Sequence, residues 1–426
     1  DFGNTAPAGK ARWLGTSIAS LSQLESALVV GSFLRKDHPL LALRLRAAAR
    51  RGAKVHSLHA VHDDWLMPMA GRITAAPSDW LQALADIASV VATSKAIQAP
   101  MQGEQTDQAV AAADALLTGQ RKAILLGHAA AQHPQAGALL ALASWIAEQT
   151  GASCGYLGEA GNSVGAQLVG AVPGQGGLNA GQMLTRPMKA LLMLNTEPVL
   201  DAADAAAARK ALAGSGLVVA LTAFRNAGDD LADVMLPIAP FTETAGTFVN
   251  AEGRVQSFHG VVKPLGDARP AWKVLRVLGN LLGLPGFDFE TADEVRAEAL
   301  GDVGTLPERL DNRSSAAIEP APTAPQGLQR IADVPIYSAD AIVRRAISLQ
   351  LTADARAPLV GLPSSLWHKL GLQPGAKVHV AQGDGGVVLP AREDPTLAEG
   401  TVRVAAGHGS TAALGPLFGP ITVERA

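Results

Sequence analysis

Apolar runs too short for a helix alternate with longer stretches of helical period over most of the chain, and the period then shortens. In LESALVVGSF the β-branched run at Leu28 to Val30 predicts a buried strand. HPLLALRLRAAARRG predicts a helix, with Pro39 at its first position and Gly52 as its stop, and AKVHSL predicts a second strand. The unit then repeats: KAILLG at Lys122 to Gly127 is a strand, PQAGALLALASWIAEQTG a helix ending at Gly151, and KALLMLN at Lys189 to Asn195 a strand. DAADAAAARKALAG follows as a helix with Asp201 as N-cap and Gly214 as stop, leading into the strand LVVALTA. Strands that alternate with helices predict an α/β fold, doubly wound, with mostly parallel sheets covered on both faces.

Between Asp267 and Gly283, Trp272, Leu275, Leu278 and Leu282 share one helical face while Lys273, Arg276 and Asn280 share the other, predicting a helix that packs by one stripe. From Asn312 the chain turns Pro- and Ala-rich without periodicity, which marks a linker whose Pro320 to Pro325 segment is the expected protease-sensitive site. Beyond it AKVHVAQGDGGVVLPA and GTVRVAAG alternate apolar and polar around a GDG turn. The expected organisation is a Rossmann-like α/β unit over 1–100, a second α/β domain over 101–311, a linker over 312–341 and a small β-barrel domain over 342–426, with one short helix near SSLWHKLG.

Composition narrows the function. A net charge of −3 supplies no field to gather nucleic acid, and no apolar run reaches the ~20 residues of a membrane span. The chain opens without an initiator Met, so it is expected to be a piece of a longer protein. A single cysteine, Cys154, cannot build an internal disulfide or an all-cysteine metal or iron–sulfur site, and its setting in TGASCGYLG suits a small packed residue.

Three patterns invite chemistry. His56, His59 and His62 with Asp63 and Asp64 form an HxxHxxHDD run, but on a strand His56 and His59 face opposite ways, which favours a polar loop over a metal site. GQGGLNAG at Gly174 to Gly181 lacks the preceding strand and the following acidic residue of a dinucleotide fingerprint, so it reads as a tight loop. Ser32 and Ser163 have no nucleophile-elbow setting. FTETAGTFVNAEGRVQ, Phe241 to Gln256, follows a buried-looking run; Glu243 can accept backbone N–H bonds, Gly246 and Gly253 permit tight reversals, and Asn250 can close a side-chain turn. No residue is assigned as catalytic, cofactor-binding or metal-ligating.

The order VVGSFLRKDHPLLALRLRAAARRGAKV, KAILLGHAAAQHPQAGALLALASWIAEQTG, GNSVGAQLVGAVPG and LADVMLPIAPFTETAGTFVNAEGRVQ, followed by the β-rich tail, resembles the molybdopterin-oxidoreductase fold of formate dehydrogenases and nitrate reductases. FLRKDHPL, PFTETAGTFVN and GVVKPLGDARPAWKVLRVLGNLLGL resemble more closely the C-terminal half of the large iron–sulfur subunits, of the G type, of bacterial NADH:quinone oxidoreductases, the respiratory complex I. That resemblance implies a redox-silent scaffold within an assembly that passes electrons from NADH to quinone, with 2Fe-2S and 4Fe-4S clusters in polypeptide upstream of Asp1. It implies as partners the other subunits of the hydrophilic arm, on the cytoplasmic side of the inner membrane. Active molybdenum members place an Asp-Pro-Arg type turn where this chain reads HSLHAVHDDW, and an Asn-Pro where it reads FLRKDHP. The acidic turn would repel an anionic dinucleotide, so the cofactor cleft is expected to be empty of cofactor and filled by water and by the chain's own side chains. An active molybdopterin enzyme and a nucleotide-binding module are the alternatives.

Overall fold

A computed structural model describes residues 6–7, 9–225, 230–319 and 327–426. The Pro320 to Pro325 segment expected to be protease-sensitive lies outside the described residues.

The first sheet is parallel throughout. Its strands are β1 (Ser26–Val30), β2 (Lys54–His59), β3 (Gly71–Thr74), β4 (Lys122–Leu126) and β5 (Ser153–Tyr156), in the spatial order β3-β2-β1-β4-β5. Its helices are α1 (Pro39–Ala49), α2 (Trp80–Lys95), α3 (Asp107–Thr118) and α4 (Ala136–Thr150). Every residue of β1 is buried because both faces are covered: Ala27 and Val29 pack with Leu41 and Leu45 of α1, while Leu28 and Val30 pack with Leu84 of α2 and Leu139 of α4. Pro39 opens α1 at the first turn, where its missing N–H costs nothing, and Gly151 closes α4 in the left-handed region at φ +71°. Strands and helices therefore alternate in a doubly wound α/β arrangement, as the sequence pattern predicts.

A second parallel sheet holds β6 (Leu191–Leu194), β7 (Val218–Thr222) and β8 (Val234–Pro237) in that order, with α5 (Ala205–Ala213) between β6 and β7. Asp201 does not cap this helix. It ends a separate turn at Pro198–Asp201, Ala202 is extended, and Asp204 accepts the Ala207 N–H at 2.9 Å instead. A hairpin of β9 (Gly246–Val249) and β10 (Val255–Phe258) follows, then α6 (Ala271–Leu281). The expected stripe on α6 is only partly covered: Trp272, Leu275 and Leu278 are half-buried, but Leu282 falls at the C-cap and is exposed.

The C-terminal sheet curls into a half-barrel in the order β16-β11-β15-β12-β14-β13-β17. Its strands are β11 (Gln329–Ile331), β12 (Val360–Leu362), β13 (Lys377–Gln382), β14 (Gly385–Glu393), β15 (Thr401–Arg403), β16 (Phe418–Pro420) and β17 (Thr422–Arg425). β11 lies inside the Pro/Ala-rich stretch and pairs with β15 and β16. At its centre the Arg330 guanidinium is buried and donates to the carbonyls of Val404, Ala405, Gly415 and Pro416 and to Gln382 Oε1. Asn312 joins three distant segments: Oδ1 accepts the Trp13 N–H at 2.9 Å, and Nδ2 donates to the Trp13 and Cys154 carbonyls at 2.8 and 2.7 Å. No helix among the described residues is long and apolar enough to cross a membrane.

Candidate functional site

The order of the first sheet reverses between β1 and β4, so the loops that leave their carboxyl ends diverge and open a crevice; in open α/β sheets ligands bind there. Gly31 follows β1 and Gly127 follows β4. A Cβ on Gly31, where φ is +59°, would lie 2.6 Å from the Ala130 nitrogen and 2.8 Å from the Trp80 ring; one on Gly127 would lie 2.3 Å from Ser32 Cβ. Both glycines therefore admit other parts of this chain, and the Gly31 carbonyl is occupied by the Ala130 N–H at 3.1 Å.

Aromatic side chains from five separate segments meet in the crevice. Phe33 and His59 are 4.6 Å apart between ring centroids, His59 and Trp80 5.2 Å, Trp80 and His133 5.4 Å, and Phe418 of β16 stands 5.3 Å from His133. His133 is held neutral in one tautomer, since Nδ1 accepts the Gln135 N–H and Nε2 donates to the Pro77 carbonyl; burial lowers its pKa to about 4. Burial, and then the Arg403 charge, lower His59 to about 3. Backbone bonds close the join between the sheet edge and the C-terminal sheet: Ala398 N–H donates to the Ala60 carbonyl at 2.8 Å and His62 N–H to that of Thr396 at 3.3 Å.

At the mouth lies a cavity of about 330 Å³, lined by Asp37, Asp63, Trp65, Asp333, Arg356 and Arg403 among others. Arg403 binds Asp63 at 2.7 Å and Asp333 at 2.8 Å, and its guanidinium lies 4.9 Å from the Phe33 ring centroid. Burial alone would raise the Asp333 carboxyl, but the charge and hydrogen bonds of Arg403 bring it below the usual carboxylate range. Asp37 is the opposite case: burial dominates and raises it to about 6. The buried Oγ of Ser32, Oδ2 of Asp37, Nδ1 of His38 and Nε2 of His59 have no hydrogen-bond partner among the described residues.

The HxxHxxHDD run is dispersed rather than gathered. His56 is buried with its ring against Gly71, His59 joins the aromatic cluster, and His62 bonds the Thr74 hydroxyl. Asp63 pairs with Arg403, and Asp64 accepts the Leu66 N–H at 2.8 Å to close its own turn. Asp63 thus meets a cation from the far end of the chain, while Asp64 is exposed and serves its own turn. In GQGGLNAG, Asn179 and Gln182 form a capping box on a short helix. The Cys154 thiol is pushed up to about 11 by burial, with the Ser144 hydroxyl 3.7 Å away. Arg403 and Phe418 carry no motif of their own, and the pattern could have revealed them only if their strands had been docked on the first sheet.

In the Phe241 to Gln256 stretch, Glu243 accepts the Leu265 N–H at 3.0 Å and Asn250 Oδ1 accepts from Glu252 and Arg254 at 3.1 and 2.9 Å. Gly253 turns the hairpin at φ +86°. Glu252 Oε2 takes the Ile18 N–H at 2.7 Å, which fastens the hairpin to the first unit. The stretch is thus satisfied by its own chain, and the Phe248 and Phe258 rings meet edge to face across the hairpin.

Residues 3–281 match the molybdopterin oxidoreductase family, and the chain belongs to it. Within that class the chain is similar to the G subunit of NADH-quinone oxidoreductase from Mycobacterium bovis, 28% identical over 411 residues, which is 89% of this chain and 48% of that protein. It is also similar to the subunit of the same name in Streptomyces coelicolor, 29% identical over 299 residues, 62% of this chain and 33% of that protein. A Staphylococcus aureus relative named for formate dehydrogenase matches over only 20% of this chain, at 38% identity. The chain spans about half the length of the first of these relatives. Acetylene hydratase from Pelobacter acetylenicus shares the fold, with a TM-score of 0.69 at 14% identity over 96% of this chain and 81% of that one.

The family's name implies a pterin cofactor, and the switch-point residues do not fit one. The glycines that would let phosphates approach the backbone touch Ala130, Trp80 and Ser32, and the floor of the crevice is occupied by Phe33, Trp80, His133 and Phe418. The cavity left at the mouth, about 330 Å³, is at the lower end of the ~300–1,000 Å³ typical of ligand pockets.

Proposed function

We propose that this chain is a redox-silent scaffold region of the large iron–sulfur subunit of an NADH:quinone oxidoreductase. The observation that carries this reading is the crevice filled by Phe33, Trp80, His133 and Phe418, closed at its mouth by Arg403 on Asp63 and Asp333. The NADH-quinone oxidoreductase relatives support it across most of the chain. On this reading the fold of a cofactor enzyme persists as a rigid body, and the surfaces around it hold the other subunits of the hydrophilic arm on the cytoplasmic side of the membrane. The iron–sulfur clusters that pass electrons lie in polypeptide outside these residues.

The second reading, a molybdopterin-dependent oxidoreductase, draws on the family match. Metal analysis of the purified assembled protein separates the two. The scaffold reading expects iron without molybdenum or tungsten, and one molybdenum or tungsten per chain overturns it. A thermal-shift screen tests the nucleotide-binding alternative: NAD, NADP or a guanine nucleotide at about 100 times its dissociation constant would add ~2.7 kcal/mol of stability, and no shift is expected.

A further inference from the structure

The outer face of α1 carries leucine where a solvent-facing helix carries charge. Leu41, Ala42, Leu45, Ala48 and Ala49 are buried on the sheet side. At about 100° per residue the opposite side is centred on Leu43 and Ala47, with Leu40 next to them. Leu40 is 75% and Leu43 59% exposed. A surface helix is polar on this side, and one that is apolar on both sides packs on both.

The charge around this strip is of one sign. Arg44 borders one edge, and Arg46 and Arg50, one turn apart, border the other. Like charges at that spacing repel, and none of the three guanidinium groups has a hydrogen-bond or ion-pair partner among the described residues. Arg51, in contrast, donates to the Ser22 carbonyl and belongs to the fold. No Asp or Glu occurs from His38 to Lys54, and the Ser20–Gln23 turn packed against α1 has none either. In a chain of net charge −3, three unpaired arginines therefore surround an apolar strip.

We infer that the outer face of α1 is the seat of an acidic amphipathic helix of a neighbouring subunit, with aliphatic side chains on Leu40, Leu43 and Ala47 and carboxylates on Arg44, Arg46 and Arg50. The inference rests on the scaffold reading for the presence of that subunit, and adds the face it uses and the chemistry it brings. Leu40, Leu43 and Ala47 stand at i, i+3 and i+7, a ridge of the kind against which a second helix packs, and the small Ala47 lets the axes approach. Arginine takes a carboxylate through two parallel hydrogen bonds, so acids three or four residues apart on the partner match Arg46 and Arg50. Nucleic acid fits less well, because leucine and not a cation occupies the centre of the face. A lipid surface needs a broad apolar face, and the broader face of α1 is buried on the sheet.

The test uses the assembled complex, with a benzophenone amino acid in place of Leu43. Irradiation should give an adduct to another subunit, mapping to a helical segment whose Asp or Glu residues lie three or four apart. Arg46→Glu combined with Arg50→Glu should lower the adduct yield at least about tenfold, because like charges then face each other across the contact. Lys210→Glu, on the exposed side of α5, should leave the yield unchanged, and arginine at the mapped acidic positions should restore it to the doubly reversed variant. An adduct of doubled mass (a second copy), one within the same polypeptide, one to lipid or one to a segment without acidic residues overturns the inference. A yield indifferent to the charge reversal overturns it equally. Metal analysis decides the scaffold reading separately: a complex with iron and without molybdenum or tungsten that gives no adduct overturns this inference and leaves that reading standing.

Discussion

Arg403 Nη1 donates to Asp63 Oδ1 at 2.7 Å, although 340 residues of chain separate them. The same guanidinium holds Asp333, so one cation joins the turn after β2 to the C-terminal sheet. Removing it leaves two partly buried carboxylates without a partner, so Arg403→Met should cost about 3 kcal/mol of stability. Urea unfolding at pH 7 measures this. A loss below about 0.5 kcal/mol, the level of an exposed pair, would show the clasp to be superficial.

Asp37 predicts a pH dependence of known sign. Its carboxyl titrates near 6 in the fold against an ordinary value of 3.8, so the folded state holds the proton more tightly than the unfolded one. Stability from this group is full below about pH 4 and is lost as pH rises through 6. Asp37→Asn should therefore be neutral at pH 4 and stabilising by about 1–3 kcal/mol at pH 7. His59 and His133 work the other way, losing stability as pH falls below 6.5, but they contribute equally to wild type and variant and cancel in the difference. Paired denaturation curves from pH 4 to 8 read that difference directly, and a flat difference would contradict the assignment.

Arg330 should not tolerate lysine. Its planar fork reaches four carbonyls and one amide oxygen at once, and a single ammonium cannot span them. Arg330→Lys and Arg330→Met are both expected to lose about 3 kcal/mol or more, since each leaves buried acceptors unpaired. Thermal unfolding followed by circular dichroism compares them, and near-wild-type stability for the lysine variant would mean that charge alone is needed there.

For Glu243 the expected effect is small. The side chain accepts one N–H, from Leu265, in a largely exposed setting, so Glu243→Ala should cost about 0.5–1.5 kcal/mol. On the scaffold reading proposed above, NADH:quinone turnover per assembled complex should be unchanged. A fully assembled variant without turnover would give this loop a direct part in electron transfer.

The strands that the sequence pattern makes most legible are β1 and β4, whose runs ALVV and AILL are apolar throughout because helices cover both sides, whereas β2 buries His56, Ser57 and His59 between its apolar residues. The edge strands are harder. GRIT in β3 and SCGY in β5 are short, polar or glycine-bearing, and only pairing with β2 and β4 makes them strands. In DAAD both aspartates have the chemistry of a cap; the extended backbone at Ala202, which separates two helical segments, decides for Asp204. The filling of the crevice is the least legible part. Phe33 and His59 sit near the expected cleft, but Phe418 and Arg403 reach it from strands whose own alternation says nothing about where they dock.

Asn312 also imposes an order on biosynthesis. Its side-chain amide completes the pairing of Trp13 and of the β5 edge, yet it lies 158 residues beyond Cys154 of β5. At about 5–20 residues per second the ribosome needs roughly 8 to 32 s to cross that interval. Throughout it, the outer edge of the first sheet stays unlatched while all five of its strands are already synthesised. The nascent chain thus passes through a long-lived state with an open β edge, and a chaperone that recognises such edges has that interval in which to act.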